Sequence, residues 1–157
     1  MNRSQRALDD VDLGLLAALR KHPRASHAEL ARVVHVARGT VYSRLDRLAR
    51  EGVIIDHAPT VDAAAAGFDV LAFTTLEIQQ GSHDVTIAGL AAIDEVLEVH
   101  TVTGAGDVLC KIIARSNDHL HQVLQRVTAI ATVMRSESQL ALNVSHRRSV
   151  LDVVVGQ

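Results

Sequence analysis

One cysteine, one tyrosine, two phenylalanines, two prolines and no tryptophan are all the chain holds of these residues. Each shortage removes a class of function. The lone Cys110 cannot close an intrachain disulfide and fits a reducing compartment. With so few rings, a base-stacking platform or a sugar-binding shelf has little to be built from. No apolar run approaches the roughly 18–20 residues of a membrane span, and the opening MNRSQRALDD has no apolar stretch of the signal-peptide kind. A soluble cytoplasmic protein without a membrane partner is the expectation. Nine histidines are present, but there is no H-E-x-x-H, no cysteine pair and no dense cluster, so no metal site is expected. His119 and His121 stand about 200° apart on a helical wheel and cannot share one ion. The GAGD at 104–107 is too short for a dinucleotide fingerprint and does not open a helix. No nucleophile elbow or Walker loop occurs either, so no cofactor and no catalytic residue is expected.

What is present is enough apolar material for a core, 48% of 157 residues, and an uneven charge. Residues 1–60 hold ten Arg/Lys and seven Asp/Glu, about +3; residues 61–157 hold six and eleven, about −5. A basic module that meets a polyanion, followed by an acidic module with another task, fits that division.

The basic module reads as three helices. Leu8, Val11, Leu15, Leu16 and Leu19 recur at helical spacing, with Asp9 placed to cap the start and Asp12 three residues on. His22-Pro23 stops that helix. Ser26 and Glu29 form an S-x-x-E box ahead of a short second helix that ends near Val33 or Val34. The third helix is ARGTVYSRLDRLAREG, residues 37–52. On a wheel at about 100° per residue, Val41, Leu45 and Leu48 form its buried stripe and Arg38 and Arg44 flank it. Gly39, Ser43, Asp46, Arg47 and Arg50 point the other way, with Thr40 and Tyr42 at the shoulders. A short helix, a three-residue turn and a longer basic helix make a helix-turn-helix. Arg44, Arg47 and Arg50 would then grip phosphates of double-stranded DNA, while Arg38, Gly39, Thr40 and Ser43 lie nearest the base edges. An ordinary amphipathic helix with solvated arginines is the competing reading of the same spacing.

The stretch from Leu8 to Ile54 resembles the N-terminal domain of the Lrp/AsnC (feast/famine) transcriptional regulators. Leu8, Asp9 and Asp12 match the family's L-D-x-x-D. Thr40, Val41, Arg44, Leu45, Arg47, Leu48, Gly52, Val53 and Ile54 match T-V-x-x-R-[IL]-x-R-L followed by G-[VI]-I. Two turn positions depart: His35 stands where the family usually has Gly, and Ala37 where it has Ser. Histidine tolerates the left-handed conformation that the turn requires. A missing serine cap costs roughly 0.5–2 kcal/mol.

After a connector over 56–67, with Ile54-Ile55 expected as a short strand, the pattern changes. Phe68 to Gln79 alternates with period two: Phe68, Val70, Ala72, Thr74, Leu76 and Ile78 on one face, Leu71 and Phe73 on the other. A helix near 84–92, strands near 96–103 and over VLCKIIAR, and a helix capped by Ser116 or Asn117 follow. A last strand is expected to align Leu140, Leu142 and Val144. In VLCKIIAR, Cys110 alternates with Val108 and Ile112, which makes it a buried packing thiol. The order is βαββαβ, the ferredoxin-like arrangement. The fold expected is thus α+β: a winged-type helix-turn-helix over 1–55, and a ferredoxin-like ligand-sensing and oligomerisation domain over 68–157. Its partly apolar second sheet face calls for a cover, most economically a second copy.

This half is similar to the family's ligand-sensing domain: TVTGAGDVLCKI matches V-[TS]-G-x-x-D-x-x-x-x-[VI], and VMRSESQLAL matches V-x-[RT]-[ST]-x-T. The resemblance implies an amino-acid effector at an oligomer interface, around Thr103, Gly104, Ala105, Gly106, Asp107, Ser136 and Ser138. It also implies a homodimer that assembles further, to a tetramer or an octamer. On the residues alone, Asp107 can equally cap backbone amides in a tight turn. Gly106 replaces an aromatic common in the family. Two rivals use the same architecture. A siroheme-decarboxylase-like enzyme would need a basic, histidine-bearing pocket in this acidic half. An effector-binding partner without DNA binding is made conceivable by His35 and Ala37.

Overall fold

In the computed structural model, which describes residues 7–156, helices start where their caps are written. The side chain of Asp9 accepts the Asp12 amide at the head of α1 (Asp10–Lys21), and that of Ser26 accepts the Glu29 amide at the head of α2 (His27–Val34). Both caps are reciprocal boxes. His35 ends α2 in the left-handed region, at φ 57° and ψ 43°. α3 (Arg38–Arg50) begins at Ala37 with no side-chain cap, the missing serine made visible.

α3 closes at Gly52, whose φ of 71° lets the chain double back. The amide of Val53 then donates to the Leu48 carbonyl at 2.9 Å and that of Gly52 to Ala49 at 3.0 Å. These bonds are the reason Ile54-Ile55 forms no strand, contrary to expectation: the amide of Ile54 is also spent on Leu48, at 3.1 Å. Leu15, Ala18, Leu30, Ala31 and Val41 make one buried cluster, with Leu45 packed against it, and Leu48 is fully buried as well.

The chain divides into two compact units, and the first is discontinuous: residues up to Pro59 join residues from His146 onward. The sequence reading ran the second domain on to 157; here its last turn sits with the helices of the first. That turn is α6 (Val150–Val154), capped reciprocally by Ser149 and Asp152. Asp152 pairs with Arg20 of α1 at 2.5 Å.

The second unit spans Thr60–Ser145. Its strands β1 (Val70–Ile78), β2 (Val96–Thr101), β3 (Val108–Ala114) and β4 (Val133–Ala141) are all antiparallel, in the order β2-β3-β1-β4. With α4 (His83–Ala91) and α5 (Asn117–Thr128) between them, this is the βαββαβ arrangement expected. Ala72 and Leu76 of β1 and Val108, Cys110 and Ile112 of β3 pack with Leu90, Val123 and Val127 of the two helices. The opposite face carries Leu71, Phe73, Leu109 and Ile113, and Phe73 is 38% exposed.

β4 lies earlier than expected. Leu140 pairs with Ala72, but Leu142 and Val144 fall beyond the last strand residue, and Leu142 is 99% exposed. The ladder with β1, running from Leu71–Ala141 to Ile78–Val133, sets the strand, not local apolar alternation.

Cys110 is fully buried, and burial pushes its thiol up to about 11. It therefore stays protonated near neutral pH. Iodoacetamide is expected to leave Cys110 unmodified in the native protein and to label it fully in denaturant; labelling at similar rates in both would show that this core opens.

Candidate functional site

The acids of α1 and the arginines of α3 form one network. Asp12 is fully buried, and its Oδ1 accepts from Nη1 of Arg44 at 3.2 Å and its Oδ2 from Nη2 of Arg47 at 2.5 Å. The same Oδ2 accepts the Asp9 amide at 3.2 Å. Arg44 also pairs with Asp9. The structure thus corrects the wheel for Arg47, which was set on the outward face. Its side chain is 20% exposed, turned onto α1, with its Nε buried and unpartnered. Two arginines expected to grip phosphate are already committed within the fold. A wheel describes one helix, and this pairing runs between two. The signal was present nonetheless: acids three apart on α1 face bases three apart on α3.

The Arg44 guanidinium, aided by the Asp12 amide, holds the Asp9 carboxyl below its ordinary 3.8. A depressed carboxylate contributes stability that is whole above the unfolded-state value and is lost as pH falls through the folded one. This end of the network is therefore whole at neutral pH and weakens progressively as pH falls through the ordinary carboxylate value and below it.

What α3 leaves to solvent is its start and its far side. Arg38, Gly39, Ser43 and Arg50 are exposed, Thr40 is half-buried, and Tyr42 is 63% exposed. The Ser43 hydroxyl donates to the Thr40 carbonyl at 3.1 Å. A Cβ on Gly39 would meet nothing within 4 Å, so the tip of the helix is open on that side. Tyr42 meets the ring of His27 edge-on at 5.9 Å. Arg50 holds Asp46 at 2.9 Å but is 72% exposed. A cleft of about 570 Å³ is lined by Ala7, Asp9, Ser43, Arg44, Arg47 and Arg50, three cations to one anion. Asp12 behind Arg44 and Arg47 and Asp46 beside Arg50 offset two of these cations, and Arg50 is the most exposed of the three.

In the second unit, the expected effector residues lie on both sides of the end of β1. The β2–β3 turn is pinned by three bonds: Val102 amide to Asp107 carbonyl at 3.0 Å, Asp107 amide to Leu76 carbonyl at 2.9 Å, and Ile78 amide to Asp107 Oδ2 at 2.9 Å. Asp107 therefore caps a backbone amide, the alternative that the residues had left open. Thr103, Gly104 and Ala105 are exposed at the tip. From the other side, Ser136 pairs with Leu76 and Ser138 with Thr74, whose hydroxyls lie 3.0 Å apart. Gly106 has a role that sequence reasoning missed: a Cβ there would overlap Thr75 Cγ2 and stand 3.1 Å from the Leu76 carbonyl oxygen. Glycine is what lets the turn lie against β1.

Family models match both halves: the winged helix-turn-helix DNA-binding model over residues 8–55 and the Lrp/AsnC ligand binding domain over 71–151. The chain belongs to the Lrp/AsnC family. Among its relatives, the HTH-type transcriptional regulator Rv2324 of Mycobacterium tuberculosis is 34% identical, over 87% of this chain and 93% of that protein. The structure of Escherichia coli AsnC superposes with a TM-score of 0.86 at 27% identity, covering 93% of this chain and 99% of that one. The feast or famine regulatory protein Rv3291c of M. tuberculosis, solved in complex with L-methionine, superposes with a TM-score of 0.80 at 30% identity, covering 90% and 96%. The protein is a transcriptional regulator of the Lrp/AsnC type. Among the described residues, no helix is long and apolar enough to cross a membrane.

Proposed function

We propose that the chain binds double-stranded DNA through α3 and that an amino acid bound at the end of β1 modulates this binding. The observation that carries the first part is the division of labour on α3. Arg44 and Arg47 lock the helix to α1, which leaves Arg38, Gly39, Thr40, Tyr42 and Ser43 presented as a fixed tip. Small polar groups at a helix start are what a major groove admits. Phosphate contact falls chiefly to Arg50, and to Arg44 through the cleft it shares with Arg50.

The L-methionine complex of Rv3291c supports an amino acid as the class of effector. Exposed backbone at Thr103, Gly104 and Ala105 offers groups for a carboxylate. Asp107 and the Ser136 and Ser138 hydroxyls offer acceptors for an ammonium. The apolar second face of the sheet, with Leu71, Phe73, Leu109 and Ile113 and with Phe73 exposed, supports assembly into a homodimer and from it a tetramer or an octamer.

The test is binding to DNA from the protein's own upstream region against a scrambled fragment, at two salt concentrations, with and without pooled amino acids. Preference for the native fragment and a shift with amino acids are the expected results; no binding to either fragment at low salt would sink the reading. In the same assay, Arg50→Ala should weaken binding to both fragments alike. It should also lower the log–log salt slope by about 0.9, the loss of one phosphate contact. An unchanged slope would remove Arg50 from the interface.

A further inference from the structure

The two flanks of α3 are differently occupied. Arg44 and Arg47 turn toward α1, where Asp9 and Asp12 hold them. Tyr42 stands about 160° around the helix from Arg44, so it faces the other way. What it meets there is α2. Its ring and that of His27, the first residue of α2, lie edge-on, with centroids 5.9 Å apart and planes at 68°. Rings attract in this arrangement, and each limits the freedom of the other. His27 is half-buried, while Tyr42 remains 63% exposed. Among the described residues, neither the Tyr42 hydroxyl nor a His27 ring nitrogen has a hydrogen-bond partner. Two braced rings thus hold unspent polar groups at the surface. The charge around them favours an anion. Arg38, about 40° from Tyr42 on the same wheel, is exposed and has no ion pair among the described residues. Asp46, one turn beyond Tyr42, is already paired with Arg50 at 2.9 Å.

We propose that His27 and Tyr42 form a second contact with the DNA backbone, on the α2 flank of α3, in which the phenol and the imidazole donate to phosphates of one strand. The proposal rests on α3 being the DNA-binding helix, the function proposed above. A major groove is about 12 Å wide and a helix with its side chains about 10–12 Å across, so a helix whose tip reaches the bases has a phosphate wall on either side. The cleft of Arg44 and Arg50 faces one wall, and the ring pair faces the other. Tyrosine hydroxyls and other neutral donors are ordinary phosphate ligands, which set the register of a protein on the duplex without reading its sequence. His27 then has two duties: it braces Tyr42, and it donates through its own ring.

The test is DNA binding by the full chain, native and as Tyr42→Phe, His27→Phe and His27→Ala, to the upstream and scrambled fragments at two salt concentrations. Tyr42→Phe keeps the ring contact and loses only the hydroxyl. It should weaken binding to both fragments alike, about tenfold, and leave the salt slope unchanged, because no cation is lost. His27→Phe keeps a ring against Tyr42 and should lose the nitrogen's share of the affinity. His27→Ala also frees Tyr42 and should lose more. The chain has one tyrosine, so ring-labelled tyrosine reports Tyr42 alone by NMR; its signals should move when either duplex is added. Unmoved signals at saturating DNA, or native affinity in Tyr42→Phe, would overturn the contact. A loss confined to the upstream fragment would make Tyr42 a reader of bases and overturn it too. Native affinity in both His27 variants would remove His27 from it. If the native protein binds neither fragment, the DNA-binding function fails and takes this contact with it; if the native protein binds and every variant binds as well, the contact alone fails.

Discussion

Replacing Asp12 with alanine is expected to cost the DNA-binding unit about 3–5 kcal/mol, the loss seen when one member of a buried ion pair is removed. The argument for a full-sized effect is burial: Asp12 has no exposed surface, so water does not screen what it holds. Three donors lose their acceptor together, the guanidinium groups of Arg44 and Arg47 and the Asp9 amide. Arg47 already carries an unpartnered buried Nε and would then lose its hydrogen-bonded ion-pair partner. A unit of this size has a total stability of only some 3–10 kcal/mol, so most of it is at stake. Denaturant unfolding followed in the helical signal should lose its first-unit transition or show it at a much lower midpoint. Asp10→Ala, two residues away and exposed, should change stability by under about 0.5 kcal/mol. An Asp12→Ala protein as stable as the Asp10→Ala control would mean that the network is ornamental.

Gly106→Ala should abolish the amino-acid response and leave DNA binding in place. The added methyl overlaps Thr75 Cγ2, and the second obstacle is the Leu76 carbonyl, which cannot move without disturbing the β1 ladder. The turn must lift, which breaks the bonds of Asp107 to Leu76 and Ile78, at an overpacking cost of about 1–3 kcal/mol. Thr75→Ser removes the overlapping methyl group and should restore part of the response in the double variant. Calorimetric titration with the amino acid that shifts DNA binding decides it. Full binding by Gly106→Ala would place the effector elsewhere. Loss without any rescue by Thr75→Ser would trace the defect to the Leu76 carbonyl alone.

Elements whose signal is local were legible in the sequence. α1 and α2 were announced by Asp9 and Ser26 with partners three residues on, and β1 by strict alternation from Val70 to Ile78. Elements set by pairing across the chain were not. β4 holds Arg135, Ser136, Glu137, Ser138 and Gln139, and no apolar face marks it as a strand; only the neighbouring β1 makes it one. The more apolar residues just after it drew the expectation too far along. The candidate sites divide the same way. The exposed tip of α3 follows from its own wheel. The commitment of Arg44 and Arg47 to α1, the closeness of Gly106 to Thr75 and the docking of α6 each involve a contact partner 31 or more residues away.

A discontinuous first unit also has a consequence for synthesis. Chains emerge from their N-terminus at about 5–20 residues per second, so α1, α2 and α3 are free to pack while the sheet is still being made. Their partner α6 arrives only after the whole of the second unit. A product cut short anywhere in the second unit would carry a recognition helix without the Arg20–Asp152 pair. Completion of the first unit thus reports that the second has already been made.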